Sequence, residues 1–130
     1  MPSEPPGPPL GILLISGTHE RAHYALVLAT GAAATGREAV LFATNEGCLA
    51  MLADWSKLDD PGRDAAIRAR GVAGLGELRE AASELGIRMM VCEAGLSMAG
   101  LDGEELANGV EITGVVTFLE AVKTGQIVSL

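Results

Sequence analysis

Apolar residues fall in short blocks along the chain, each followed by a turn signal and then by a longer stretch with helical spacing. Leu10 to Ile15 is the first block, and Ser16, Gly17 and Thr18 follow it, which predicts a buried strand entering a turn. His19 to Thr35 is rich in Ala and Leu, lacks proline and stops at Gly36, the residue type expected just past a helix. Ala22, Leu26, Ala29 and Ala33 share one face of that helix. Tyr24, Leu28 and Ala32 make a second apolar strip, so the helix is expected to be covered on more than one side, which burial by a neighbouring subunit would explain.

The same alternation continues. Glu38 to Ala43 predicts a second strand, with Thr44 and Asn45 as caps for a helix running through Leu52. Asp54 to Arg70 is polar, with a turn at Asp59, Asp60, Pro61 and Gly62 and a helical piece at Asp64 to Arg70. Leu75, Leu78, Ala82 and Leu85 stand at helical spacing before Gly86, and Ile87 to Cys92 then predicts a third strand that Cys92 closes. Asp102, with Glu105 three residues on, is expected to cap a short helix. Val110 to Ile112 predicts a fourth strand, Thr113 a cap for a helix from Gly114 to Lys123, and Ile127 to Leu130 a last strand. Strands alternating with helices predict an α/β fold: a three-layer α/β/α sandwich around a mostly parallel sheet of about five strands, joined by right-handed crossovers.

Composition narrows the function classes. At 130 residues the chain has the size of one domain, assigned here to residues 10–130, behind a Pro-rich tail over residues 1–9 that is expected to be disordered. Only 3% of the residues are aromatic, so the core must be built from Ala, Val, Leu and Ile. A net charge of −8 opposes binding to nucleic acid or to an anionic membrane surface. The N-terminus lacks the basic and apolar regions of a signal peptide, and no apolar run is long enough to span a membrane, so a cytoplasmic location is expected. Cys48 and Cys92 lie 44 positions apart outside any CxxC, which fits free thiols in a reducing compartment.

Candidate chemistry gathers where strands end. In open parallel sheets, ligands and reactive groups collect at the carboxyl edge, which here means Ser16 to His19, Ala43 to Cys48 and Cys92 to Gly100. Cys92 heads the segment CEAGLSMAGL, whose Gly95 and Gly100 let backbone N–H groups approach a thiolate or persulfide. The same position also suits a cysteine packed as a small hydrophobe. Cys48 would be the third residue of a helix capped by Asn45, where the dipole lowers a thiol pKa; packing with Leu49 and Leu52 is its bland alternative. His19 is a candidate acid/base or substrate contact, one helical turn before His23, and a packing role is the commoner outcome for such a histidine. Gly17, Thr18, Asn45, Glu93 and Gly95 complete the candidate set as substrate-binding residues. No metal or cofactor is expected: the histidines and cysteines lack paired ligand spacing, the HExxH pattern of zinc proteases is not read in the His19 segment, and SGTHER and GVAGLG are not phosphate loops.

LREAASELGIRMMVCEAGLSMAGL followed by GVEITGVVTFLEAV resembles the DsrE/DsrF-like family, also called peroxiredoxin-like, and the resemblance extends over Leu10 to Leu130. It implies a helix leading through a Leu-Gly turn into a strand that ends at a cysteine, then a small-residue loop, then a Gly-Val entry to the last helix. It further implies a homotrimer or homohexamer in which Cys92 carries a persulfide, in sulfurtransferase fashion, and exchanges it with a small TusA-like sulfur carrier. Ser97 and Met98 stand at the fifth and sixth places after Cys92, later than in the commoner family loop. A thiol peroxidase reading fails on TxxC, because Thr44 precedes Cys48 by four and Met89 occupies the third place before Cys92. The alternative from a different class is a non-enzymatic oligomeric module that binds a small ligand or partner at the strand ends, with Cys92 structural.

Overall fold

The computed structural model describes residues 7–130, so the tail expected to be disordered lies outside the described residues over positions 1–6. Pro8 and Pro9 are described, and their carbonyls accept hydrogen bonds from Arg37 Nε and from the Gln126 N–H. The chain then runs β1 (Leu10–Leu14), α1 (His19–Ala34), β2 (Ala39–Ala43), a 3-10 helix (Asn45–Met51), α2 (Arg63–Ala69), α3 (Leu75–Glu84), β3 (Arg88–Cys92), α4 (Glu93–Met98), β4 (Val110–Thr113), α5 (Val115–Val122) and β5 (Gln126–Ser129).

The strands form one sheet in the order β4-β3-β2-β1-β5, and every neighbouring pair is parallel. Strands covered on both faces read as continuous apolar runs, and β2, AVLFA, is buried at all five positions. One face is the larger core, where Ile12, Leu14, Leu41, Ala43, Met89 and Val91 meet α1, α3 and the 3-10 helix. On the other face Val40, Phe42 and Met90 meet Phe118 and Val122 of α5. The rings of Phe42 and Phe118 stack with centroids 5.1 Å apart. Gly11 makes that closeness possible, since a Cβ there would lie 2.5 Å from Val122 Cγ2 and 3.0 Å from Phe118 Cζ. With α5 alone on this side, Ile112, Val115, Val116, Leu119 and Ile127 remain exposed.

The α/β/α expectation is borne out, and the left-handed Gly36 and Gly86 stand just past α1 and α3 as expected. Four local expectations are corrected. The segment after β2 is a 3-10 helix whose flanking cap residue is Thr44, while Asn45 takes up a left-handed φ of 51° inside the turn. Asp102 caps no helix, because the backbone around it is used in longer-range pairing: Ala53 N–H donates to Glu105, Ala107 N–H donates to Met51, and Leu106 bridges Leu52. The short helix forms instead at α4, immediately after β3, where a small-residue loop was expected. At α5 the flanking residue is Gly114, with no side-chain cap from Thr113.

Candidate functional site at the carboxyl edge of the sheet

β1, β2 and β3 deliver their following loops to the same edge, and close backbone contacts hold those loops together. Thr44 N–H donates to Leu14 O, and Gly47 N–H donates to Ile15 O, joining the turn after β2 to the end of β1. Gly95 of α4 then lies directly on that turn: a Cβ at this position would be 2.9 Å from both Asn45 N and Thr44 Oγ1 and 3.2 Å from Cys48 Sγ. Only a glycine lets α4 approach so closely.

Cys92 ends β3 in extended backbone opposite Thr113 of β4 and is the residue on which α4 begins. Alternation along β3 sends its side chain to the α5 face after Met90, where it packs half-buried against the Phe42–Phe118 cluster. Its Sγ accepts the Gly95 N–H at 3.3 Å, so a donor is already aimed at the sulfur. A hydrogen bond of this kind supports negative charge on a thiolate or a terminal persulfide.

Cys48 has the opposite surroundings. It is fully buried on the 3-10 helix, and its Sγ lies 3.8 Å from the Ala43 carbonyl. Burial, reinforced by the proximity of Cys92, pushes its thiol up to about 11. The expectation that this pKa is lowered is therefore corrected: loss of water outweighs the backbone hydrogen bonds that favour the thiolate. The two cysteines are brought together, yet one is half-buried and the other fully buried.

Of the expected binding residues, Gly17, Thr18, Asn45 and Gly95 line a common recess of about 870 Å³ that opens between the β1–α1 loop, the 3-10 helix and α4. Thr18 also caps α1, its Oγ1 accepting from the Arg21 N–H at 3.2 Å. Glu93 lies outside the recess, exposed in the first turn of α4. Cys92 and Cys48 do not line it either, so Gly95 is the residue that touches both the recess and the Cys92 sulfur.

His19 is placed elsewhere. Fully buried at the start of α1, it meets Asp64 Oδ1 through Nε2 at 2.8 Å and Arg63 Nη1 through Nδ1 at 3.3 Å. An arginine can only donate, so Nδ1 accepts and Nε2 carries the proton toward the carboxylate. Asp64 Oδ1 also accepts the Leu75 N–H at 2.8 Å, so one carboxylate joins α1, α2 and the first residue of α3. Burial raises the Asp64 pKa, but the bonds from Leu75 and His19 outweigh it and hold the carboxyl below its ordinary value. Letter for letter, His19-Glu20-Arg21-Ala22-His23 is HExxH, so the expectation that this segment falls outside that pattern is corrected. The geometry still builds no metal centre: His23 Nε2 is engaged by the Ala73 carbonyl at 2.8 Å, and among the described residues no cluster of three His, Cys, Asp or Glu side chains could hold an ion.

Sequence reasoning missed Asp64 and Arg79. Nothing marks Asp64 among the other acids of its polar segment. Arg79 reaches from α3 to the carbonyls of Ala50, Leu52 and Ala53, closing the end of the 3-10 helix; its only signal is a position beside Leu75 and Leu78 on the inward-facing side of its helix.

Comparison with known proteins accords with this architecture. The DsrE/DsrF/DrsH-like family profile matches residues 57–129, a span that includes Cys92, α4 and the glycine-led entry to α5. The uncharacterized protein YrkE of Bacillus subtilis (strain 168) is 24% identical, over 89% of this chain and 92% of its own. The crystal structure of the ychN protein from E. coli shares the fold with a TM-score of 0.64, covering 95% of this chain and 99% of that one at 14% identity. The chain belongs to the DsrE/DsrF/DrsH-like family.

Proposed function

We propose, with that membership as the premise, that the chain is a sulfur-relay protein in which Cys92 accepts sulfane sulfur, holds it as a persulfide and passes it to a small TusA-like carrier protein. The observation that carries this reading is the contrast between the cysteines: Cys92 is half-buried at a strand end with a backbone donor on its sulfur, and Cys48 beside it is fully buried with its thiol pushed up to about 11. In the loading step the Cys92 thiolate attacks the outer sulfur of a donor persulfide, RS–SH. The new Cys92 S–S bond forms as the RS–S bond breaks, and the electron pair leaves on RS⁻. A carrier thiolate then attacks the same outer sulfur and restores the Cys92 thiolate. Gly95 N–H stabilises the anion at the start and end of the cycle, and Cys48 shapes the floor beneath α4 without exchanging sulfur. His19 acts through structure, holding the start of α1 by way of Asp64.

The proposal extends to assembly and place. A homotrimer or homohexamer would bury the apolar residues that α5 leaves exposed, Val116 foremost. No helix among the described residues is long and apolar enough to cross a membrane, which accords with work in the cytoplasm. A second reading, a small-ligand-binding module of the same fold with Cys92 structural, is favoured by the recess, whose lining leaves out Cys92.

The test is sulfur loading. The native protein is incubated with polysulfide, freed of excess reagent and weighed intact beside Cys92→Ser and Cys48→Ser. One added sulfur, about 32 Da, that vanishes only in Cys92→Ser is the expected result. An unloaded native protein whose Cys92 resists alkylation until it unfolds would leave the ligand-binding module as the function.

A further inference from the structure

The recess beside α4 carries a charge pattern that persulfide chemistry at Cys92 does not use. Three ionisable side chains line it, Glu46, Lys57 and Asp59. Lys57 Nζ stands 3.5 Å from Glu104 Oε1 with both side chains about half exposed, a loose pair that a ligand carboxylate can replace at little cost. The Glu46 and Asp59 carboxylates accept no hydrogen bond from the described side chains and form no ion pair with them. Asp59 is nevertheless fixed in place, because its N–H donates to Gly17 O at 2.8 Å and its carbonyl accepts the His19 N–H at 2.9 Å. Leu49, Met98 and Leu101 add apolar surface, with Met98 left 72% exposed.

A dianion such as sulfate or phosphate suits this recess poorly, since two carboxylates outnumber the one lysine and the chain already carries a net −8. A purely apolar ligand would leave all three charges unanswered. A molecule with an ammonium group at one end, a carboxylate at the other and a short apolar or thioether part between answers each of them. A volume of about 870 Å³ lies in the range of small-molecule sites and exceeds what a single free amino acid fills. We propose that the recess binds a zwitterionic short peptide, its ammonium between Glu46 and Asp59, its carboxylate at Lys57 and its side chain against Leu49, Met98 and Leu101. Gly95 borders the recess and donates to Cys92 Sγ, so the occupant sits beside the cysteine with α4 between them. This deepens the small-ligand part of the function proposed above and rests on that reading only in linking the ligand to Cys92.

The probe is S-methyl-Cys-Gly, whose thioether cannot exchange sulfur with Cys92, titrated into the isotope-labelled full chain and followed by amide chemical shifts. Shifts at Gly17, Asn45 and Gly95 with a Kd of about 1 mM are expected. N-acetylating the peptide removes the ammonium and should weaken binding about tenfold. Glu46→Gln with Asp59→Asn should erase the preference for the free amine, and Lys57→Met should erase the preference for the free acid over its amide. Cys92→Ser should bind the probe as the native chain does. Absence of shifts at these amides, or equal affinity for the free and the N-acetylated peptide, overturns the proposal. Because sulfur loading on Cys92 is read separately by mass, a chain that loads sulfur without binding the peptide refutes the recess alone, and one that binds the peptide without loading refutes the persulfide role alone.

Discussion

Gly95→Ala tests whether α4 must press on the turn after β2 for Cys92 to function. A methyl group on a helical glycine ordinarily stabilises, by up to about 1 kcal/mol. Here the methyl would sit 2.9 Å from Asn45 N, a backbone atom, and 3.2 Å from Cys48 Sγ, neither of which is the loose end of a flexible side chain. Overpacking against such atoms costs about 1–3 kcal/mol. The clash therefore outweighs the propensity gain, for a net loss of about 1–2 kcal/mol, and α4 relaxes outward. That movement draws the Gly95 N–H away from Cys92 Sγ, now 3.3 Å distant, so alkylation and sulfur loading of Cys92 should slow as well. Gly76→Ala is the matched control: Gly76 lies inside α3 with nothing within 4 Å of its would-be Cβ, and the substitution should leave Cys92 alone while stabilising the fold by up to about 1 kcal/mol. Urea unfolding measures the first effect and the iodoacetamide rate at Cys92 the second. A Gly95→Ala protein as stable as Gly76→Ala, with the native alkylation rate, would refute the reasoning.

Asp64→Ala leaves the Leu75 N–H and the His19 Nε2–H buried without their shared acceptor, and at about 1–3 kcal/mol for each orphaned donor it should be among the most destabilising single changes, as thermal unfolding will show. Because the folded Asp64 pKa is depressed, its contribution is complete above the ordinary carboxylate value of about 4 and is lost as pH falls through the folded value, so the native melting temperature should drop below about pH 4 more steeply than that of Asp64→Asn. Arg79→Met removes the donors from three carbonyls at the end of the 3-10 helix and should cost about 2–3 kcal/mol in urea unfolding, while Arg79→Lys recovers only part of it. Cys48, with its thiol near 11, should resist iodoacetamide at pH 8 in the folded protein and react only on unfolding, which peptide mapping of the labelled chain will reveal.

What the sequence made legible followed from period and punctuation. β2 is apolar at every position because both faces of a parallel strand are covered, and α1 and α3 end where Gly36 and Gly86 permit a left-handed turn. Asp102 shows where that logic fails. Asp102 and Glu105 satisfy a capping pattern, but Glu105, Leu106 and Ala107 are held by Met51, Leu52 and Ala53, residues about fifty positions earlier whose approach no local rule foresees. α4 escaped notice for the converse reason: its cap is a cysteine sulfur, outside the usual set of oxygen-bearing caps.

The candidate site divides along the same line. Cys92 was legible because a strand end in a parallel sheet is itself a position of chemical opportunity. Its difference from Cys48 was not, because one cysteine ends an apolar strand, the other follows one closely, and sequence position cannot state how much water reaches each. His19 was legible as a residue at a strand end, but its partner was not, since Asp64 stands 45 residues away and the pairing exists only once α1 and α2 have docked. The residues that set the chemistry of this edge are thus those whose neighbours come from afar. Gly95 is the clearest case: a small residue in a small-residue loop by sequence, it simultaneously touches the Cys92 sulfur, the Asn45 backbone, Cys48 and the recess. A change at that glycine should alter the two cysteines and the recess together, whereas a change at Lys57 should alter the recess alone.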